Sequence, residues 1–423
     1  MVLLWSIGVG RAEPTLAEYM EAAVAHHPQM AVAQAGSDAA RADTLQAGAG
    51  LLPTVRGNAS WAYNQNDATV TLPDPAGGPP TEIVLAPHQQ LDASLNLRVP
   101  LVDGPAWARW REASLASDAA SADAAAAAQD LRLEVARAWY AAVAAQQVVV
   151  AAERAQRSAE ENLRYLSLRA EAGAATSLSV QRAQLEVENA ALLVIDSRRT
   201  WQTGCRRLAT LSGLPEPAAL PTESPPLELE LLPEAELLDA ADRDRPELAA
   251  ARARTAELRA STVGAALSYA PSVAATASEQ LTNAPGFADA EASYRVGVEV
   301  DWLLLDVGAR AAEVRRARAE LAAAEARERE VRDTVRDEVH AAWLAAEAAR
   351  SRVVAATRGA VVGRAAADET QARFQAGTTT WGEVIQAERD ALNAEVVRIR
   401  SDGELALARL ALLRAAGAPI SAP

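Results

Sequence analysis

Hydrophobic and polar residues alternate in two stretches of the chain, 90–101 and 294–302. In the first stretch Leu91 and Leu95 would point to one side of an extended backbone and Asp92 to the other. A period of two residues predicts a β-strand with one apolar face. A segment with weaker alternation precedes each stretch. The weaker and the stronger segment lie on either side of a loop, which predicts a β-hairpin in each half of the chain. The predicted strands are about 54–64, 89–101, 271–281 and 293–303.

Aromatic residues near the strand ends bear on the environment of this sheet. A tilted strand that crosses a bilayer needs about 10 residues, which is close to the predicted lengths. A half-buried sheet of a soluble protein alternates in the same way, so alternation alone leaves both interpretations open. Aromatic residues at membrane interfaces favour the membrane. The residues in question are Trp61, Tyr63, Tyr294 and Trp302.

Each hairpin is followed by a long helical segment and a return helix. Residues 106–172 contain neither Gly nor Pro, and as one helix they would extend about 100 Å. The corresponding segment starts at Ala309 and first meets a glycine at Gly359. A narrow apolar stripe with a spacing of four residues predicts helix packing. Its members include Leu131, Val135, Trp139 and Val143.

The order of elements is the same in both halves of the chain, which indicates an internal duplication. Pro28 and Pro53 precede Pro246 and Pro271 by 218 residues, and later landmarks keep an offset of 204. These landmark pairs are Gly104 and Gly308, Trp139 and Trp343, Gly173 and Gly377, Ala183 and Ala387, and Gly213 and Gly417. We predict a first repeat at 13–213, a Pro-rich linker at 214–244, a second repeat at 245–417 and a tail at 418–423.

Composition excludes several classes of function. The formal net charge of −15 argues against nucleic-acid binding, which requires a basic surface. Cys205 is the single cysteine, which excludes a disulfide framework and a thiolate zinc cluster and predicts a buried helical thiol. The histidines show no metal-ligand spacing, and no catalytic motif is present. We therefore expect no enzyme activity, no cofactor and no metal site. The histidines are His26, His27, His88 and His340.

No stretch approaches the ~20 apolar residues of a spanning helix, so a membrane-spanning form would use its strands. The apolar run at 1–12 resembles the end of a secretory signal peptide without its basic start. It is interpreted as a signal-peptide remnant or as an incidental apolar tail.

Four strands cannot close a barrel, and an open edge in hydrocarbon would leave unpaired backbone groups that cost several kcal/mol each. This deficit predicts oligomerisation around a common axis. Closure alone allows two, three or four chains, and three chains would supply twelve strands, an even number observed in membrane barrels.

Several short motifs, together with their order and duplicated spacing, resemble the TolC family of outer membrane efflux proteins. The resemblance covers about residues 15–417. The motifs are the helix start Pro-Glu-Leu at 246–248, Val-Pro-Leu-Val-Asp-Gly at 99–104, Leu-Leu-Leu-Asp-Val-Gly at 303–308, and the Ala-Gly-x-x-Thr turns at 172–176 and 376–380. The resemblance implies a homotrimer whose twelve-stranded β-barrel in the outer membrane continues into an α-helical barrel across the periplasm. It further implies a periplasmic adaptor (membrane fusion) protein, an inner membrane pump and passive export of substrates.

The resemblance also implies sites at the two helical turns. Adaptor-docking residues would be Gly173, Thr176, Ser177, Gly377, Thr378, Thr379 and Thr380, which are also suited to capping helices. Acidic residues after the second turn close the periplasmic entrance in this family. Glu383 matches the first such position, Gln386 departs from the second, and Arg182 is its equivalent in the first repeat. Glu383 would otherwise be a residue on a solvated helix face.

The main alternative of another class is a soluble periplasmic coiled-coil scaffold or adaptor protein. An adaptor would have a single helical hairpin, whereas this chain has two, each preceded by an alternating strand. Partition between water and detergent separates the two interpretations.

Overall fold

The structure, a computed structural model of one chain, describes residues 14–73, 77–220, 232–285 and 290–420. The predicted signal-peptide remnant lies outside these residues, as do the middle of the linker and the end of the tail. The first repeat contains α1 (Leu16–His26), α2 (Pro28–Ala49), β1 (Thr54–Tyr63), β2 (Ala68–Leu72), β3 (Thr81–Ala86), β4 (Gln89–Val102), α3 (Gly104–Glu171) and α4 (Ser177–Ser212). The linker and second repeat contain α5 (Glu234–Asp244), α6 (Pro246–Leu267), β5 (Ser272–Thr282), β6 (Ala292–Asp301), α7 (Ala309–Gln375) and α8 (Trp381–Ala415). The predicted fold class is confirmed, with long helices flanking four principal strands.

Two parts of the first repeat were not predicted from the pattern. Helix α1 begins with a capping box, in which the backbone N–H of Thr15 donates to Glu18 at 2.7 Å and that of Glu18 donates to the Thr15 hydroxyl at 3.3 Å. The helix ends at His26, and His27 is extended. The proline that follows His27 disfavours helical backbone angles at this residue. Strands β2 and β3 pair in the long loop of the first hairpin, where alternation is too short to stand out.

The expectation about apolar stretches was too strict. Helix α3 contains an 18-residue window that is apolar enough to span a membrane, and half of that window is buried inside the protein. Alanine raises the hydropathy of this helix without adding bulk. A core helix passes the same test of length and composition, so this window is weak support for a membrane helix.

One compact unit spans Met1–Ala35, Ala122–Ala249 and Arg329–Pro423, and its described elements are all helices. The predicted stripe of α3 is buried in its core, where the rings of Tyr19 and Trp139 pack with centroids 5.4 Å apart. Cys205 is buried in the same core, as predicted.

A buried ionic cluster lies in the same unit. Arg414 of α8 donates to Asp130 of α3 at 2.9 Å and also binds Glu247 of α6, which receives a second hydrogen bond from Arg245 at 3.1 Å. Arg245 and Arg414 are both buried. The carboxylates satisfy charges that would otherwise be very unfavourable inside the protein.

The other compact unit, Gly36–Ser121 and Ala250–Glu328, carries the sheet. Its strand order is β1-β4-β5-β6, and every neighbouring pair is antiparallel. Strands β1 and β6 are therefore the open edges of this sheet. Each unit takes segments from both predicted repeats, so the compact units do not coincide with those repeats.

Candidate membrane sheet and helix-tip turns

One face of the four-stranded sheet is apolar and open to solvent in the single chain. Strand register places its members on the same side: Val55, Ala59, Trp61, Tyr63, Leu91, Leu95, Leu97, Val273, Ala275, Ala277, Leu281, Tyr294, Val296, Val298 and Val300. Tyr294 is 86% exposed and Val296 is 75% exposed. Soluble proteins rarely expose an apolar surface of this extent. Glu279 is an exception on this face, opposite Leu95 and Tyr294.

The predicted interface aromatics lie toward opposite ends of the strands. Trp61 and Tyr63 are near the loop end of β1, and Tyr294 is near the corresponding end of β6. Trp302 follows β6 at its other end, where its indole N–H donates to the carbonyl oxygen of Tyr269 at 3.1 Å. All four predicted side chains are exposed, as lipid-interface residues would be.

The opposite face of the sheet is polar. Arg98 on β4 forms an ion pair of 2.7 Å with Glu299 on β6. Asp92 accepts hydrogen bonds from the Thr282 hydroxyl at 2.7 Å and from Gln90 at 2.8 Å. An apolar face and a polar face on one sheet match the lipid-facing and lumen-facing sides of a membrane barrel wall.

In the helical unit, the two long helices end in the same type of turn. Gly173 and Gly377 have φ values of +74° and +78°, which favour glycine because it lacks a Cβ atom. The next N–H in each turn, from Ala174 or Thr378, donates back to the carbonyl oxygen of Arg169 or Arg373 at 2.7 and 2.9 Å. This bond is the six-to-one contact of a Schellman motif.

The hydroxyl residues after the glycines cap the return helices in two different ways. At α4, Thr176 accepts a hydrogen bond from the N–H of Ser179 at 3.2 Å. At α8, the Glu383 carboxylate accepts from the N–H of Thr380 at 2.9 Å and from the Thr379 hydroxyl. Ser177 and Thr378 are exposed beside these caps. Glu383 is thus a capping residue of its own turn.

An aromatic cluster supports the turns and was missed from the sequence. Leu166, Phe374, Trp381 and Val384 are buried together. Phe374 packs against Trp381 at 5.4 Å between ring centroids and against Tyr165 at 6.2 Å. Phe374 is one of only two phenylalanines in the chain, and its rarity was the available signal. The cluster holds α3, α4, α7 and α8 together next to the turns.

The three predicted gate residues are exposed and are not joined to one another within the chain. Gln386 donates to Asp390 at 2.9 Å on its own helix. Among the described residues Arg182 forms no ion pair, and it is not bound to Glu383 within the chain. The ion pair that links the return helices is instead between Arg389 of α8 and Glu186 of α4.

A groove of about 970 Å³ lies along these helices and includes Arg389, Glu186 and Glu388. Burial raises the pKa of Glu388, the nearby charge of Arg364 opposes this shift, and that of Asp368 adds to it. No group of histidine, cysteine or carboxylate side chains in the described part of the chain could hold a metal ion.

An amphipathic sheet with open edges, combined with paired long helices that end in capped glycine turns, defines a subunit of an outer membrane channel. The sequence profile of outer membrane efflux proteins matches residues 20–214 and 237–418. The chain belongs to the outer membrane efflux protein family. It is an outer membrane channel of the tripartite efflux type that extends into the periplasm, and the alternative of a soluble scaffold is excluded. Members of this family are transport channels, not enzymes.

Solved structures with the same fold include several outer membrane channels. The OprN channel is 24% identical with a TM-score of 0.79, and the match covers 96% of this chain and 90% of that chain. The open state of MtrE from Neisseria gonorrhoeae is 21% identical with a TM-score of 0.79, over 96% and 90% of the two chains. CmeC from Campylobacter jejuni is 16% identical with a TM-score of 0.78, over 99% and 91%. No curated protein sequence gives a significant match.

Proposed function

We propose that three copies of this chain form a conduit in which twelve strands close a barrel and the paired helices continue it into the periplasm. The observation that carries this proposal is the sheet, whose apolar face is exposed and whose edge strands β1 and β6 are unpaired. Closure between β6 of one chain and β1 of the next would satisfy both edges. Channels of this family are trimeric, which supports three copies.

The proposed partners are outer membrane lipid at the sheet and a periplasmic adaptor at the helical turns, with an inner membrane pump beyond the adaptor. Channels of this family work with such partners. The docking surface would consist of the exposed turns around Gly173 and Gly377. Two features support this role: the glycine turns have the same geometry in both repeats, and Thr176, Ser177, Thr378 and Thr380 are exposed. Half-buried Thr379 would contribute through its hydroxyl.

Glu383 is the proposed gate residue, with Gln386 and Arg182 as neighbours in the closed entrance. Three Glu383 carboxylates around an axis would repel one another unless cations or arginines lie between them. The capping bonds of Glu383 support this role indirectly, because they hold the carboxylate at the turn.

Native mass spectrometry of detergent-extracted protein, followed by single-particle imaging, tests the assembly. We expect a trimer that forms a hollow particle well over about 100 Å long, from the helix length. A monomer or dimer that stays in water without detergent would exclude the barrel.

Cross-linking in cells tests the docking surface. Cys205 is buried, so a cysteine introduced at Ser177 or Thr378 would be the reactive thiol. We expect cross-links from both positions to a periplasmic adaptor protein, and none from Ala345→Cys, an exposed control on α7. Equal cross-linking to the adaptor from all three positions would argue against docking at the turns.

A further inference from the structure

The polar face of the sheet contains two arginines that no carboxylate neutralises. Arg56 on β1 and Arg295 on β6 lie on the same rung of the sheet, together with Asn96 and Ser278. Both arginines are exposed, and neither forms an ion pair among the described residues. Arg98, one step along the same face, is by contrast bound to Glu299 at 2.7 Å.

The carboxylates of this face lie at some distance along the strands. Asp92 on β4 is four residues from the level of Arg56, and Glu291 and Glu299 are each four residues from Arg295, which corresponds to about 13 Å at 3.3 Å per residue. Asp301 is farther away on β6. The polar face therefore has a cationic middle section between two acidic sections.

We propose that Arg56 and Arg295 form an anion-binding section inside the barrel, which takes solutes that carry carboxylate or phosphate groups. This proposal rests on the trimeric barrel proposed above. The two arginines occupy the two open edges of the sheet, so pairing of β6 with β1 of the next chain brings the three Arg56 and three Arg295 guanidinium groups of the trimer into the lumen. Strands of membrane barrels tilt by about 35–45°, so residues on one rung differ in height by about 9 Å across three strand spacings. The six groups thus form two threefold rings.

The chemistry of arginine fits this role. Its guanidinium group is always charged and presents paired N–H donors that match the oxygens of phosphate and carboxylate. A solute can move from one arginine ring to the next. Because binding is divided over two neighbouring sites, the solute can leave the barrel as well as enter it. The bound solute is an anion of sufficient charge to contact several arginines, and tripolyphosphate is a suitable probe.

Block of single channels in planar lipid bilayers by sodium tripolyphosphate tests this proposal. We expect the half-blocking concentration to rise about tenfold or more in Arg56→Gln/Arg295→Gln, because charge-assisted hydrogen bonds to the anion are lost. The reversal potential in a KCl gradient should shift toward cation selectivity in the same variant. Arg98→Gln/Glu299→Gln is the matched control, since it changes two residues of the same face without changing the net charge, and block should be unaffected.

The lysine pair Arg56→Lys/Arg295→Lys should retain the selectivity, because the charge is kept, but only part of the block, because lysine lacks the paired N–H donors. Each variant is first shown to form trimers in detergent, so that only assembled channels are compared. If the double variant does not assemble, the single substitutions Arg56→Gln and Arg295→Gln are used instead. Unchanged block without the arginines, or equal loss of block in the control, would overturn the anion-binding section. A wild-type protein that forms no channels would instead overturn the proposed conduit.

Discussion

The guanidinium group of Arg389 in α8 binds the carboxylate of Glu186 in α4 through two hydrogen bonds and so joins the return helices of the two repeats. The Glu186 side chain is 20% exposed, and that of Arg389 is 48% exposed. Such a two-point contact has a defined geometry that a single long-range attraction lacks.

Removal of this ion pair should loosen the tip. We expect Glu186→Gln to lower the free energy of unfolding by about 0.5–1 kcal/mol, as partial exposure limits the contribution of the pair. The measurements are chemical unfolding in detergent and single-channel conductance, in which open events should become more frequent. Glu369→Gln is the control, because it breaks an ion pair within α7 and leaves the link between α4 and α8 intact. Identical effects of both substitutions would contradict a role for the link.

Two substitutions at Glu383 separate its charge from its capping role. Glu383→Gln retains an acceptor for the N–H of Thr380 but removes the charge, whereas Glu383→Ala removes both. Both variants should reduce block of the channel by divalent cations. Only the alanine variant should also lose stability, by about 0.5–2 kcal/mol. Conductance and cation block that stay unchanged in both variants would exclude an acidic ring at the entrance.

Adjacent residues of β4 test which face of the sheet contacts lipid. Leu97 lies on the apolar face and Asn96 on the polar face. Leu97→Arg should destabilise the folded barrel by about 2–4 kcal/mol if the residue lies near the bilayer midplane. Asn96→Arg should change stability little, because its side chain would project into water. Urea unfolding in lipid vesicles measures the change in the free energy of unfolding for both variants. Equal destabilisation by the two substitutions would argue against a lipid-facing apolar surface.

The buried cluster around Glu247 should make stability depend on pH. Burial disfavours the charged carboxylate, but hydrogen bonds from Arg414 and the backbone, with the charges of Arg245 and Arg414, lower the pKa of Glu247 from its usual 4.5. The stabilisation is therefore present above pH 4.5 and is lost as pH falls through the lower folded-state value. We expect Glu247→Gln to cost about 1–3 kcal/mol at pH 7, with a smaller difference from wild type in acid.

Thermal unfolding between pH 7 and pH 3 would measure this difference. Glu216→Gln is the matched control, since it removes the same charge from an exposed pair with Arg206. A gap between Glu247→Gln and wild type that grows on acidification would contradict the assigned pKa direction.

The sequence by itself determined the features that depend on local geometry. Alternation in 90–101 predicts a strand with one apolar face because successive side chains of a strand point to opposite sides. The positions of Gly173 and Gly377 before hydroxyl residues predict turns because a left-handed conformation favours glycine. Repetition of these signals at a constant offset was sufficient for the fold class and for the family resemblance.

Only the tertiary structure decided which distant residues meet. The pairing of Glu186 with Arg389, the packing of Phe374 against Trp381 and Tyr165, and the rung shared by Arg56 and Arg295 depend on helix packing and strand register. A spacing within one element sets the face on which a side chain lies, but it does not specify the partner on another element. Contacts between elements follow from the simultaneous packing of all helices and strands, which no local pattern contains.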